Sequence, residues 1–357
     1  CLNQSCSSQV KEFMKYFTFI LFIPLTLLFT FCSCDEPEAS PEVQLMETDP
    51  FIQNQKLTRS INLGNILEAP NEGDWGLTLE ESYFSTIAEA GFTAVRLPVR
   101  WSAHAANEAP FTLDSEFVAR VDWAIDQALE NNLSVVVNTH HFTEMMEAPE
   151  ENLPKLLGIW GQLANHFQSR PDDVIIELFN EPNDQFTADL WNDYLVQLID
   201  TVRAIDSERT LMIGTAPWGG IDGLDNLRLP SDSNLIVTVH YYNPFQFTHQ
   251  GAEWSEGADA WLGTSWGQTN NDYTNLMADF NRVKTWSVEH NRPIYVGEFG
   301  AYHKAEITYR ILWTQAVVRA CEDRDLSWGY WEFASGFGAF DRSAGEWTAL
   351  LTALIQN

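Results

Sequence analysis

The sequence predicts an α/β fold: a (β/α)8 barrel built as one catalytic domain from residues 56–357. Three observations carry that expectation. Eight strand-like apolar runs alternate with helix-like stretches, and no short repeat interrupts them. Seven of the eight runs end directly on polar or charged side chains, as strands do where a barrel carries out its chemistry. The turn after the first run, GNILEAPNEGDWG, lacks the glycine spacing usual in a doubly wound open sheet, the runner-up architecture.

The elements follow in order. The strands expected are INLGN (61–65), AVRLPVR (94–100), SVVVNTH (134–140), VIIELFN (174–180), TLMIGTA (210–216), LIVTVHYY (235–242), PIYVGEF (293–299) and WGYWEF (328–333), mostly rich in β-branched or aromatic residues. Between the second and third, Asp114 is placed to cap a helix that gathers Phe117, Val121, Ala124, Ile125 and Ala128 on one face. Another amphipathic stretch holds Ile311, Val317, Val318 and Cys321, while the segment after Ile221 is too short for a full helical pattern. Trp160, Trp191, Trp286 and Trp313 fall in helical runs and are expected in the core. The connection 243–271 exceeds ordinary βα length, so a lid or cleft wall is expected there, with Trp261 and Trp266 holding it together.

The first 55 residues do not read as fold. Met14-Lys15 precedes an apolar run from Tyr16 to Phe31, a positively charged start and hydrophobic stretch too short for a comfortable membrane span. Translation is expected to start at Met14. The run closes on FCSC, in which Ser33-Cys34 resembles a bacterial lipoprotein signal with Cys34 lipidated, plain secretion being the alternative. Residues 35–55 are acidic, contain proline and read as a flexible tether. The expected location is therefore the cell envelope or the exterior. Of five cysteines only Cys321 lies in the body, which excludes a disulfide within it.

Fifty acidic against twenty basic side chains give a formal charge of −30, which repels nucleic acids and anionic headgroups but not a neutral glycan. The expected partner is a polysaccharide, with no nucleic acid, membrane association only through the N-terminal anchor, a monomeric state, no cofactor and no metal. No HExxH occurs, and no cysteine joins the histidines at ligand spacing.

The strand ends carry, in order, Asn65 and Glu68; Arg96 and Arg100; His140 and His141; Asn180 and Glu181; Trp218; His240 and Tyr242; Glu298; and Trp331. Glu181, in NEP, closes the fourth strand, and Glu298, in GEFG, closes the seventh. Two carboxylates facing across one mouth are what glycoside hydrolysis requires: one protonated to assist the leaving oxygen, one ionised to attack the anomeric carbon. The bland alternative makes Glu181 a helix cap and Glu298 an ion-pair partner. Glu177 faces the barrel interior and is expected to be structural, paired with an arginine or an amide.

In these motifs the sequence resembles glycoside hydrolase family 5, over residues 56–355 and in the stretches INLGNILEAPNEGDWG, GTAPWGGI, VHYYNPFQFTHQGAEW, YVGEFGAY and YWEFASGFGAFD. The likeness is to the endo-β-1,4-glucanase branch with thermophilic bacterial members, some of which also cut mannan. It implies a retaining mechanism with Glu181 as acid/base and Glu298 as nucleophile, their carboxyl groups about 5–5.5 Å apart. It further implies that Asn180 binds the sugar 2-hydroxyl, that Arg96 and Tyr242 hold Glu298 ionised, and that His240 orients the acid/base or the sugar. Asn65, Glu68, His140, His141 and His249 are implied to meet the sugar, with Trp254 and Trp331 as stacking platforms. His140 and His141 are adjacent, so both reach substrate only if the strand has already ended. A non-catalytic glycan-binding lipoprotein is the alternative of a different class; a mannanase, or a dual glucanase/mannanase, is the alternative within the same chemistry.

Overall fold

The computed structural model describes residues 49–355; the expected signal segment, Cys34 and most of the acidic tether lie outside them. Eight parallel strands close a barrel in sequence order: β1 (Arg59–Asn62), β2 (Ala94–Leu97), β3 (Ser134–Asn138), β4 (Val174–Glu177), β5 (Leu211–Gly214), β6 (Leu235–His240), β7 (Ile294–Phe299) and β8 (Ser327–Tyr330). Each pairs with its neighbours in sequence, and β8 pairs back onto β1 through Arg59–Trp328 and Ile61–Tyr330. Closure removes the free edges that the open doubly wound sheet would have left. A two-stranded hairpin, β9 (Phe340–Asp341) and β10 (Glu346–Trp347), decorates the loop after β8.

All eight expected strands form, but their ends move. The ladders of β2, β3 and β4 stop two or three residues before the apolar runs do, and β1 begins two residues earlier than expected. The residues past the ladder are those that turn into the mouth. Helices Glu81–Ala90, Ser115–Glu130, Pro149–Phe167, Ala188–Arg203, Asn270–His290 and Ile307–Glu322 cover the barrel. Asp114 caps its helix as expected, its side chain accepting from the N–H groups of Glu116 and Phe117. After β5 the chain makes only the 3₁₀ segment Ile221–Asn226. Among the described residues no helix is long and apolar enough to cross a membrane.

Alternation along the strands separates two environments. Outward residues such as Val95, Val135, Ile176 and Ile213 join the helix-facing core. Inward residues at the amino-terminal end, Ala94, Val136, Ile175, Met212, Ile236 and Tyr295, pack with Leu57 into a dry plug. One pleat further along, the inward residues are polar: Asn62, Arg96, Asn138, Glu177 and Thr238. Apart from Ser60 and Ser327, which sit in register with Ala94 and Tyr295, polar interior side chains begin where the barrel opens.

The structured body starts earlier than residue 56. Helix Pro50–Lys56 has Asp49 as its side-chain cap and proline in its first turn, and it buries Gln53 and Asn54. Asn54 donates to the Ile294 carbonyl and accepts from the Ser327 hydroxyl, tying this helix to β7 and β8. The tether expected to run to residue 55 therefore overlaps a folded turn; Asp49-Pro50 was the signal that acidic composition masked.

Candidate active site

At the carboxyl end of β2, Arg96 is fully buried and organises the mouth. Its Nε and Nη2 grip both oxygens of Glu177 at 2.6 and 2.7 Å, as expected of a structural acid there. Nη1 donates to Glu298 Oε1 at 2.6 Å and to Asn62 at 2.9 Å, and Nη2 donates to Asn180 Oδ1 at 2.8 Å. One guanidinium thus neutralises the interior acid and orients two mouth residues. With Oδ1 of Asn180 occupied, its amide N–H groups remain to face a substrate.

Glu298, on β7, receives a second hydrogen bond at Oε2 from the Tyr242 hydroxyl at 3.0 Å. Burial pushes its carboxyl upward, but the charges of His240 and Arg96, with the Arg96 and Tyr242 hydrogen bonds, outweigh it and hold Glu298 below the usual carboxylate range. Glu181 differs. Burial raises its pKa, and so does the negative charge of Glu298; the nearby His240 only partly offsets them. Its side chain keeps 21 % exposure against 6 % for Glu298, so it opens onto the cleft.

His240 Nδ1 lies 2.6 Å from Glu181 Oε1 and 3.6 Å from Glu298 Oε2. One donor atom from each of Glu181, His240 and Glu298 falls within 4.8 Å of the others. The set resembles a metal triad in type, but the Arg96 cation already occupies one Glu298 oxygen, and the arrangement reads as a proton-handling pair of acids bridged by an imidazole. Gly219 lets this packing happen: a Cβ there would sit 3.0 Å from the His240 ring, at a backbone φ of +62°.

The two adjacent histidines lie beyond the last residue of β3, which meets the condition for both to face the cleft. Asn138 accepts from the Val99 N–H, so its amide nitrogen is the donor to His140 Nδ1 at 3.1 Å, leaving His140 neutral with a proton on Nε2. Burial holds its pKa well below the usual histidine value. Its ring stacks parallel to Trp331 at 5.8 Å and meets the exposed His141 edge-on at 4.6 Å. Trp331 in turn closes over Gly64, where a Cβ would be 2.8 Å from the indole.

On the opposite wall, His249 is 7 % exposed, stacked on Phe245 at 4.0 Å and edge-on to Tyr242 at 5.0 Å. The Thr248 hydroxyl donates to the Tyr242 carbonyl, so His249 Nδ1 is the donor to that hydroxyl and Nε2 is left as an acceptor. Trp254 is 62 % exposed, with edge contact to Tyr302 at 4.8 Å. The long connection is built as expected of a wall: Gln250 bonds the Phe247 and Thr264 carbonyls and the Gly263 N–H, and Trp266 is buried beneath it. Trp160, Trp191, Trp286 and Trp313 lie in the core.

One expected sugar ligand is placed elsewhere. Glu68 is fully buried and spends its oxygens on the backbone N–H groups of Asn65 and Ile66. It pins the loop that presents Asn65 (φ +63°) and cannot itself reach a sugar. The sequence reading gave no role to two tryptophans: Trp218, placed among the strand ends, and Trp75. Trp218, 58 % exposed after β5, stands beside Glu181, its backbone N–H donating to the Pro182 carbonyl; Trp75, 43 % exposed, leans on His141. Both are tryptophans in mouth loops, the signal that would have found them.

Known proteins resemble this chain in sequence and in fold. The chain matches the cellulase (glycosyl hydrolase family 5) family model over residues 58–336. It is 33 % identical to Endoglucanase H of Acetivibrio thermocellus over 85 % of this chain, spanning about a third (32 %) of that protein's length. It is 27 % identical to Endoglucanase B of Ruminococcus albus, over 87 % of this chain and 82 % of that one. In structure it resembles Thermotoga maritima Cel5A, solved with mannotriose substrate and with cellobiose, with a TM-score of 0.85 and 48 % identity over 86 % of this chain and all of that chain. Barrel, paired acids and sequence together place this chain in glycosyl hydrolase family 5.

Proposed function

We propose that the protein is a retaining endo-β-1,4-glucanase. The observation that carries this reading is the unequal treatment of two acids whose oxygens come within 4.8 Å. That spacing leaves no room for a water between acid and sugar, as the roughly 6.5–9.5 Å gap of inverting enzymes does. In the first step Glu181 gives its proton to the glycosidic oxygen while Glu298 bonds to the anomeric carbon, and the leaving chain departs as an alcohol. In the second, Glu181, now ionised, takes a proton from water; the water oxygen bonds to the anomeric carbon and releases Glu298. Arg96 and Tyr242 keep Glu298 anionic between turnovers, and the Asn180 amide faces the 2-hydroxyl, where hydrogen bonding strengthens at the transition state. Asn65, His140, His141, His249, Trp254 and Trp331 line the cleft around this centre.

Proton NMR of the earliest products from a β-1,4-glucan tests the reading: the β anomer is expected, and the α anomer would sink it. Mannan is the second substrate reading, favoured by the mannotriose complex of Thermotoga maritima Cel5A. Reducing-sugar assays on carboxymethylcellulose, mixed-linkage glucan, glucomannan and mannan rank the two. A purely glycan-binding role predicts binding without turnover on all four. We further infer export with Cys34 as lipid anchor, supported by the apolar run and the Ser33-Cys34 pair. Globomycin should then cause the precursor to accumulate in a bacterial host, and no effect would leave plain secretion.

A further inference from the structure

Among the described residues the tryptophans exposed beyond a third of their surface are Trp254, Trp218 and Trp75, at 62 %, 58 % and 43 %. They sit in the loops after β6, β5 and β1, so all three rim the same mouth. Large apolar rings left open around one cleft mark a surface that a ligand covers. Trp218 donates its backbone N–H to the carbonyl of Pro182, next to Glu181, and Trp254 meets His249 and Tyr302 edge-on. Trp75 is reached from Trp331 through ring contacts.

From Trp331 the aromatic surface passes to His140 (5.8 Å, planes within 9°), to His141 (4.6 Å, 84°) and to Trp75 (5.5 Å, 78°). Trp331 is half-buried and His140 is 3 % exposed, and beyond them His141 is exposed and Trp75 is 43 % exposed. The run therefore leads outward from the catalytic floor.

The Trp75 loop is also held rigid. Asp74 accepts from the Asn71 backbone and side chain at 3.1 Å, and Gly76 donates to the Gly73 carbonyl at 2.9 Å. Glu72 accepts from the Leu79 N–H at 2.7 Å and is clamped through both oxygens by Arg120 at 2.8 Å. An indole kept open on a fixed loop binds a flat partner without first paying ordering entropy.

We propose that Trp75 is a stacking platform for an outer sugar unit of the polysaccharide, a subsite beyond those formed by Trp331, His140 and His141. The ligand class is an uncharged pyranose of a β-1,4-linked chain long enough to reach from the acids past His141. This rests on the glycanase reading and deepens it: Trp75 sets how strongly chain length is rewarded.

The test compares kcat/KM on cellohexaose with kcat/KM on 4-nitrophenyl β-cellobioside, for wild type, Trp75→Ala and Trp75→Phe. Trp75→Ala should lower the long-to-short ratio by about tenfold, mainly through KM for the hexaose, the size expected for one aromatic stack. Trp75→Phe should recover part of it. An unchanged ratio overturns the proposal. Should the alanine variant fail to fold, the Glu298→Ala protein, which leaves the hexaose intact, is treated with N-bromosuccinimide and mapped by mass spectrometry. Cellohexaose should protect Trp75 from oxidation and cellobiose should not; equal oxidation in both overturns the proposal. Absence of wild-type turnover on either substrate would instead refute the glycanase reading, which the protection assay leaves separate.

Discussion

Buried acids at the same end of this barrel, Glu68 and Glu332 on one hand and Glu298 on the other, are pushed in opposite directions. Glu68 and Glu332 are fully buried in the loops after β1 and β8, and each is held by backbone N–H groups: Asn65 and Ile66 for the first, Ala334, Ser335 and Phe337 for the second. Burial pushes them up to about 8 and about 7. Glu298 is almost as deep, at 5 % exposure, yet it stays below the usual range because Arg96 and His240 place positive charge against it. Depth alone favours the protonated carboxyl; a fixed cation keeps a buried carboxyl ionised. Glu181 lies between the two, raised by burial and by Glu298 but open to the cleft, as a proton donor needs.

The largest effect should come from removing the ionised member. Glu298→Ala should cut kcat on carboxymethylcellulose by at least about 10⁴-fold while the protein still binds the polymer, as loss of a covalent nucleophile does. Reducing-sugar release and affinity electrophoresis measure the two parts. Glu181→Gln should cost roughly 10²–10⁴-fold on the polymer and much less on aryl glycosides, whose leaving groups need no proton. Equal losses on both substrates would erase the contrast between the acids.

Arg96→Lys sharpens the comparison. Lysine cannot reproduce the two-pronged grip on Glu177 together with the bond to Glu298, so the folded state should lose stability, by less than the roughly 3–5 kcal/mol that deleting one partner of a buried pair costs, because the charge is kept. In protein that still folds, Glu298 loses the guanidinium hydrogen bond that lowers its pKa, so its pKa rises. The acidic limb of the kcat/KM profile should therefore move to higher pH, while the basic limb, set by Glu181, moves less. An unmoved acidic limb would show that Arg96 does not hold the nucleophile ionised.

The smallest effect concerns the neutral pair. Because the folded pKa of Glu68 lies above its ordinary 4.5, the native state holds that proton more tightly, and stability should fall as pH rises from about 4.5 to about 8. Glu332 adds the same sign between about 4.5 and about 7. Glu68→Gln should flatten this slope in urea midpoints taken at pH 5 and pH 8. A steeper slope would mean that the acid is ionised in the native loop.

Much of this was legible in the chain. Alternating apolar runs gave all eight strands, and the tripeptide NEP with GEFG located both acids, because barrel strands must deliver their last residues to one mouth. Strand ends were read too long, since an apolar pattern continues through residues such as Leu178 and Phe179 that have already left the ladder. The role of Glu68 was hidden because burial depends on how the loop folds over it. Adjacent histidines in a strand would diverge, and only the backbone bend at His141 (φ +49°) lets both rings join the cleft. Trp75 was quoted in the sequence and passed over, as its exposure is a property of a loop held by an arginine 45 residues away, Arg120.

The division of labour between the acids is tested most directly by trapping the intermediate. After incubation with an activated 2-deoxy-2-fluoro-cellobioside, peptide mass spectrometry should find one covalent disaccharide, on the peptide carrying Glu298. A label on Glu181, or an enzyme that turns over polymer yet never becomes labelled, would contradict the account.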